Sequence, residues 1–236
     1  MNSKNDFYIK TKNQADRYHR PILYRFLNPK EQKIVKQVFK SYDIYQSNEH
    51  GEYQRLIVSL EPIDIDFKVN RLKSSYTDET ISHRDVLGAL MNLGVNRDVF
   101  GDILLTENFI YIECMREHAV YIKDNLHQIK RDFVYFEDTV DDIKNVTEKH
   151  EEIILSVDSI RLDAIIAKVF KVKRDDVKKM MDQGHVKVNY VEVEKIVHKL
   201  QPCDIISVRG FGRIIFKDIE GISKKQKIRI KLHILR

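Results

Sequence analysis

Cysteine is scarce in this chain, and the two that occur stand apart. Cys114 and Cys203 have no partner at the spacing of a zinc ribbon or a disulfide frame, which points to a reducing compartment. No apolar run approaches the roughly 20 residues of a membrane-spanning helix. The opening Met1-Asn2-Ser3-Lys4-Asn5-Asp6 lacks the apolar core of a secretory signal, so a cytoplasmic protein without a membrane role is expected. The 8 glycines build no phosphate loop: Gly94 ends a helix, and Gly101-Asp102 is a turn. His83-Arg84-Asp85 is a helix start rather than a kinase catalytic loop, because that loop's metal-binding Asn would fall at Leu90. None of the 9 histidines stands at metal-ligand spacing from Cys, Asp or Glu. Neither a metal, another cofactor nor a small-molecule substrate is expected. Internal repeats and low-complexity segments are also missing.

What is present is an uneven distribution of charge. The net charge is +5. Residues 156–236 hold 19 Lys and Arg against 10 Asp and Glu, which is +9, and residues 1–155 hold 22 against 26, which is −4. Concentrated positive charge attracts a polyanion, so nucleic acid is the expected partner of the C-terminal third.

The periodicities describe an α+β protein of three units. In residues 1–62 a polar helix is expected from Thr11 to His19. A second helix is capped by Asn28, with Pro29 in its first turn and Glu31 completing a capping box. Its apolar face is Ile34, Val35, Val38 and Phe39, and strands follow at Tyr42–Ser47 and Tyr53–Leu60. Residues 63–145 follow the order β-α-β-β-α-β. The strands are Phe67–Lys73, Gly101–Thr106, Phe109–Cys114 and Phe133–Phe136, and the helices His83–Leu93 and Arg116–His127. Ser82 and Asp85 form a capping box. This order is that of a ferredoxin-like split βαβ sheet, a layout RNA-recognition domains share. Tyr111 lies on an inner strand where such domains stack bases, and is expected to be a packing or surface residue instead. The acidic stretch Glu137–Glu152 is a linker candidate.

Residues 146–236 carry the most specific pattern. Leu162, Ile165, Ile166 and Val169 form a helical stripe that Asp158 or Ser159 can cap. A second helix begins near Lys173-Arg174, directs Val177, Met180 and Met181 inward, and stops at Gly184. Val186 and Val188 alternate in a short strand, and Asn189-Tyr190 is a tight turn. Arg174 and Lys178, four apart, share one face of the second helix. The motif Arg161-Leu162-Asp163, Lys173-Arg174, Gly184-x-Val186-x-Val188-Asn189, Asp204-x-Ile206-x-Val208-Arg209 resembles the S4 RNA-binding domain, an αα-turn-β module. That family usually has Ser-Arg at Lys173-Arg174 and Asn-Gly at Asn189-Tyr190. The resemblance implies RNA binding through Arg161, Lys173, Arg174, Lys178, Lys179, Lys187, Asn189, Arg209 and Arg213. S4 modules also target pseudouridine synthases, whose nucleophile is an Asp in an Arg-Leu-Asp context. Here Asp163 is followed by Ala164-Ile165-Ile166 rather than the Thr and Gly of that enzyme, so a structural Asp163 and no catalytic residue are expected.

Phe26-Leu27-Asn28-Pro29-Lys30-Glu31-Gln32, Ser82-His83-Arg84-Asp85-Val86-Leu87-Gly88-Ala89-Leu90 and Gly101-Asp102-Ile103-Leu104, with the S4-like end, resemble the YlmH family of bacterial S4-domain proteins. The resemblance implies an N-terminal domain, a central RNA-recognition-like domain and a C-terminal S4 domain. It implies a protein that associates with the large ribosomal subunit, through 23S ribosomal RNA or transfer RNA, in the rescue of stalled tRNA-bearing subunits; a monomer is expected. It also implies a link to cell division. Two other readings stand beside it: an RNA-modifying enzyme targeted by its S4 module, and a protein-interaction adaptor of the division machinery.

Overall fold

The computed structural model describes residues 3–17, 20–48, 51–141, 150–193 and 198–235. The chain forms two compact units, 1–148 and 149–236. Of the acidic linker candidate, residues 142–149 lie outside the described residues, whereas Glu137–Asp138 and Glu151 onward are strands.

The first unit encloses two apolar clusters. Helix α1 (Ser3–Arg17) begins well before the expected Thr11. Its polar sequence offers no apolar period from which to place its start. Strand β1 (Ile22–Leu23) precedes α2 (Pro29–Val38), where Asn28 Oδ1 accepts from the Lys30 and Glu31 N–H groups and Glu31 Oε2 accepts from Asn28 N–H at 3.0 Å. Such a cap contributes about 1 kcal/mol. Val35 and Phe39 pack with Tyr24, Leu27, Leu56 and Val58 beneath an antiparallel sheet of order β1-β3-β2, where β2 is Asp43–Gln46 and β3 Leu56–Ser59.

The larger cluster belongs to β4 (Val69–Ser75), α3 (His83–Asn92), β5 (Phe100–Leu105), β6 (Phe109–Met115) and α4 (Arg116–Asn125). Two short strands, β7 (Gln128–Ile129) and β8 (Asp132–Phe133), and an edge strand β9 (Glu137–Asp138) follow. The sheet order is β5-β6-β4-β9, all antiparallel, the split βαβ arrangement. Leu72, Ile103, Ile110, Ile112 and Cys114 share its core with Val86 and Leu90 of α3 and Ile122 of α4. The Ser82–Asp85 capping box is present at α3, whereas Gly101 and Asp102, expected as a turn, lie within β5 at a break in its register with β6. The last strand differs from the expected Phe133–Phe136. Val134 and Phe136 are buried, so the segment alternates like a strand, but the Tyr135 N–H donates to Ser74 Oγ at 2.9 Å rather than to a ladder. The edge pairing falls instead at Glu137 and Asp138, opposite Lys73 and Leu72.

The second unit is a six-stranded antiparallel sheet of order β10-β15-β14-β13-β11-β12 with two helices, α5 (Leu162–Val169) and α6 (Arg174–Asp182), sharing its core. The strands are β10 (Glu151–Val157), β11 (Val186–Val188), β12 (Val191–Glu192), β13 (Ile205–Val208), β14 (Gly212–Ile222) and β15 (Ile228–Leu235). Val186, Val188, Ile206, Val208, Ile214 and Phe216 face Leu162, Ile165, Ile166, Val177 and Met181. Full burial of each such side chain contributes about 1.5–3 kcal/mol. The cap of α5 is not the expected one: Arg161 occupies the N-cap and its side chain caps no helix N–H, and Leu162 N–H donates to the His198 carbonyl at 3.0 Å. Asp158 pairs with Lys227 instead, at 3.1 Å. Helix α6 ends as expected at Gly184, with φ +69. His185 N–H bonds the Met180 carbonyl and Gly184 N–H the Met181 carbonyl, a Schellman closure.

Candidate nucleic-acid interface

The N-terminal half of α6 follows a short turn from α5, and the cations cluster there. Lys173 is the N-cap of α6; Arg174 and Lys178 lie one turn apart; all three are exposed. Among the described residues none of the three has an acid within ion-pair distance. Lys179 reaches Asp176 at 3.7 Å, but both side chains are largely exposed and such a pair holds the cation weakly. Lys171, exposed at φ +53 in the α5–α6 turn, adds a cation that the motif comparison did not single out. Its position in Lys171-Val172-Lys173-Arg174 was the available signal.

Two contacts tie the β13–β14 turn to this helix pair. Phe170 packs on Phe211 with ring centroids 5.3 Å apart, and Arg209 N–H donates to the His185 carbonyl at 2.9 Å. Arg209 is thereby held beside the exit of α6, with its side chain exposed.

Lys187 and Arg213 are placed elsewhere. Lys187, Ser207 and Arg213 are register partners across β11, β13 and β14. They alternate with the buried Val186, Val188, Ile206, Val208 and Ile214, so they lie on the sheet face turned away from the helices. They form a second group and do not widen the helix patch. Lys187 also approaches Glu192 at 3.8 Å, and the Arg213 guanidinium lies 5.8 Å from the Tyr190 ring centroid.

Two further candidates are committed to the fold. Asn189 sits at φ +49; its Nδ2 donates to Asp204 and its Oδ1 accepts from Ile205 N–H, which pins the turn. Arg161 makes a two-pronged pair with Asp163 at 3.0 and 3.1 Å, the acid only 4% exposed and the arginine 33%. Asp163 is thus a buried, paired carboxylate of the first turn of α5, as the sequence suggested.

The central sheet presents the opposite case. Its outer row carries Lys73 and Tyr111, register partners, with Phe109 two residues on. Tyr111 is buried, its hydroxyl donating to Asp141 at 3.2 Å. Lys73 bonds the same carboxylate at 2.7 Å and lies 4.1 Å above the Phe109 ring. The next row pairs Arg71 with buried Glu113 at 2.9 Å. Alongside, Asp102 accepts the backbone N–H groups of Glu52 and Tyr53 at 2.8 and 3.0 Å. Burial pushes the Asp102 carboxyl up to about 7 against those two bonds, and burial also raises Glu113. A side chain at Gly101 would meet Phe26 and Glu113 within 3 Å, so glycine is required for the N-terminal segment to lie this close.

The chain matches two family descriptions in the regions just described. Residues 62–143 match "Putative RNA-binding domain in YlmH", and residues 160–206 match the S4 domain. Ribosome-associated protein quality control protein P2 of Bacillus subtilis (strain 168) is 32% identical over 235 residues, covering 95% of this chain and 91% of that protein. A solved structure, cell division protein ylmH from Streptococcus pneumoniae, is similar with a TM-score of 0.51 at 25% identity, covering 61% of this chain and 93% of that one. With two regions matched and a relative spanning nearly the whole length, the chain belongs to the YlmH family of S4-domain RNA-binding proteins.

Proposed function

We propose that this is a non-enzymatic cytoplasmic protein, acting as a monomer, whose S4 unit grips structured ribosomal or transfer RNA on the large ribosomal subunit. Its role is in the quality control of stalled, tRNA-bearing subunits. The observation that carries this reading is the set of exposed cations Lys173, Arg174, Lys178 and Arg209, which meet no described acid. The Bacillus relative, named for ribosome-associated quality control, supports the setting. Phosphate contacts from the helix would supply affinity and register, and the shape of the RNA the selectivity. Lys187 and Arg213 would serve a second contact on the far face of the sheet. Arg161 would act mainly by orienting the start of α5, and Lys179 as a peripheral contact. Asn189 would act only through the turn it pins. The reading includes three domains, 1–62, 63–145 and 146–236.

Neutralising four phosphates lowers affinity by roughly 100-fold between 50 and 200 mM salt. The decisive experiment is sedimentation of Arg174→Glu/Lys178→Glu with purified large subunits. The expected result is loss of co-sedimentation with unchanged circular dichroism. Undiminished binding would refute the helix grip and leave protein contacts to explain ribosome association.

A further inference from the structure

The start of the C-terminal unit and its last strand bring three metal-ligating side chains to one spot. Glu152 on β10 is the register partner of His233 on β15. His150 precedes Glu152 by two residues, which in an extended chain returns its side chain to the same face. The His150 and His233 rings stack with centroids 3.9 Å apart and planes 15° apart. His233 Nε2 lies 3.1 Å from Glu152 Oε2. One ligand atom from each residue falls within 4.8 Å of the other two.

We propose that His150, Glu152 and His233 form a binding site for a divalent transition-metal ion, with Zn2+ the best match. Two imidazoles and one carboxylate are a donor set that borderline metals prefer, and three protein ligands leave a position for water. Ligands about 2.0–2.1 Å from a tetrahedral ion stand roughly 3.3 Å from each other, so the three donors need to draw in by at most about 1.5 Å. Lys231, 2.9 Å from Glu152 Oε2, is the cation an incoming metal must displace or share with. A bound ion would clasp the beginning of the C-terminal unit to its last strand, so metal binding and folding of this unit are coupled. None of this rests on the RNA reading.

The test uses full-length, tag-free protein stripped with chelator, Co2+ as the spectroscopic probe and Zn2+ as competitor. The expected result is one Co2+ per chain with a visible absorption band, displaced by one equivalent of Zn2+, and a Zn2+-dependent rise in melting temperature. His150→Ala and His233→Ala each weaken binding by at least the roughly 10- to 100-fold that even loss of an outer-shell partner costs. Glu152→Gln, which keeps a hydrogen-bond acceptor beside His233, does the same should either alanine variant fail to fold. Lys231→Met, which removes the competing cation, tightens binding. Equal Co2+ binding by the parent and the variants, or no Co2+ band in the parent, would overturn the site.

Discussion

The central sheet and the S4 helices both present basic side chains, yet they hold them differently. On the central sheet Arg71 belongs to Glu113 and Lys73 to Asp141, and on the neighbouring α4 Lys123 and Arg116 belong to Asp138 and Asp66. On α6, Lys173, Arg174 and Lys178 meet no described acid. The count of cations therefore says little about where a polyanion binds. What matters is whether the charge is already neutralised inside the fold. A paired or buried charge should respond to pH through stability, and an unpaired one to salt through binding.

The largest expected effect lies at Asp102. Its carboxyl is raised from 3.8 to about 7 by burial, so the folded state holds its proton more tightly than the unfolded chain. The stability this contributes is fully present below about pH 4 and is lost as pH rises through about 7; a displacement of that size corresponds to about 4 kcal/mol. Asp66, Asp138 and Asp141, at or near the surface, are lowered by the hydrogen bonds they accept, from the Lys68 N–H, Lys123 and Lys73 first of all, so their contribution runs the other way and is lost only as pH falls below the ordinary carboxylate range. Protection factors of the β5 and β6 amides, which divide out the base catalysis of exchange itself, are expected to fall from pH 5 to pH 8, and Asp102→Asn to flatten that fall. An unchanged pH slope in the variant would show that Asp102 is not the group responsible.

Next comes the helix itself. Arg174→Glu/Lys178→Glu is expected to reduce RNA affinity by roughly 100-fold, about 2.7 kcal/mol, at low salt, with a shallower salt dependence. Arg71→Met should reverse this pattern. Removing the partner of buried Glu113 costs about 2 kcal/mol, below the usual figure for a buried pair because Arg71 is partly exposed and Glu113 can take up a proton. RNA affinity should change less than about twofold, the response of a group that meets no phosphate. If Arg71→Met instead cut RNA binding as severely as the helix reversal, the contrast between the two surfaces would be wrong.

Local chemistry made much of this readable in the sequence. The caps at Asn28 and Ser82, the stop at Gly184 and the Arg174–Lys178 face all depend on residues within five positions of each other. What could not be read depends on pairing over distance. Asn189 is pinned by Asp204, and Glu152 meets His233 only because β10 and β15 are neighbours, 81 residues apart. The far-side placement of Lys187 and Arg213 required the register of three strands. The start of α1 leaves no mark in the sequence because a polar helix has no apolar stripe, and the edge strand is hidden because the alternation of Val134 and Phe136 imitates a ladder.

The smallest predicted effect concerns a cation of intermediate status. Asn189 and Tyr190 both have positive φ, +49 and +65, the geometry of a two-residue type I′ turn. Tyrosine in the left-handed region costs about 1–2 kcal/mol, which the glycine common in S4 domains would avoid. Against this stands the contact of the Tyr190 ring with the Arg213 guanidinium, worth about 0.5–1 kcal/mol at an exposed site. Glycine also loses about 0.5–1 kcal/mol through the freedom it gives the unfolded chain. The terms nearly cancel, so Tyr190→Gly is expected to leave stability within about 1 kcal/mol of the parent by chemical denaturation. Its effect on RNA decides what Arg213 is doing. If the ring merely restrains the arginine, releasing it should raise affinity for large subunits slightly. If ring and guanidinium together stack on a base, Tyr190→Gly should lower affinity several-fold while Tyr190→Phe preserves it, and the far face of the sheet would join α6 as a surface whose charge is available to RNA.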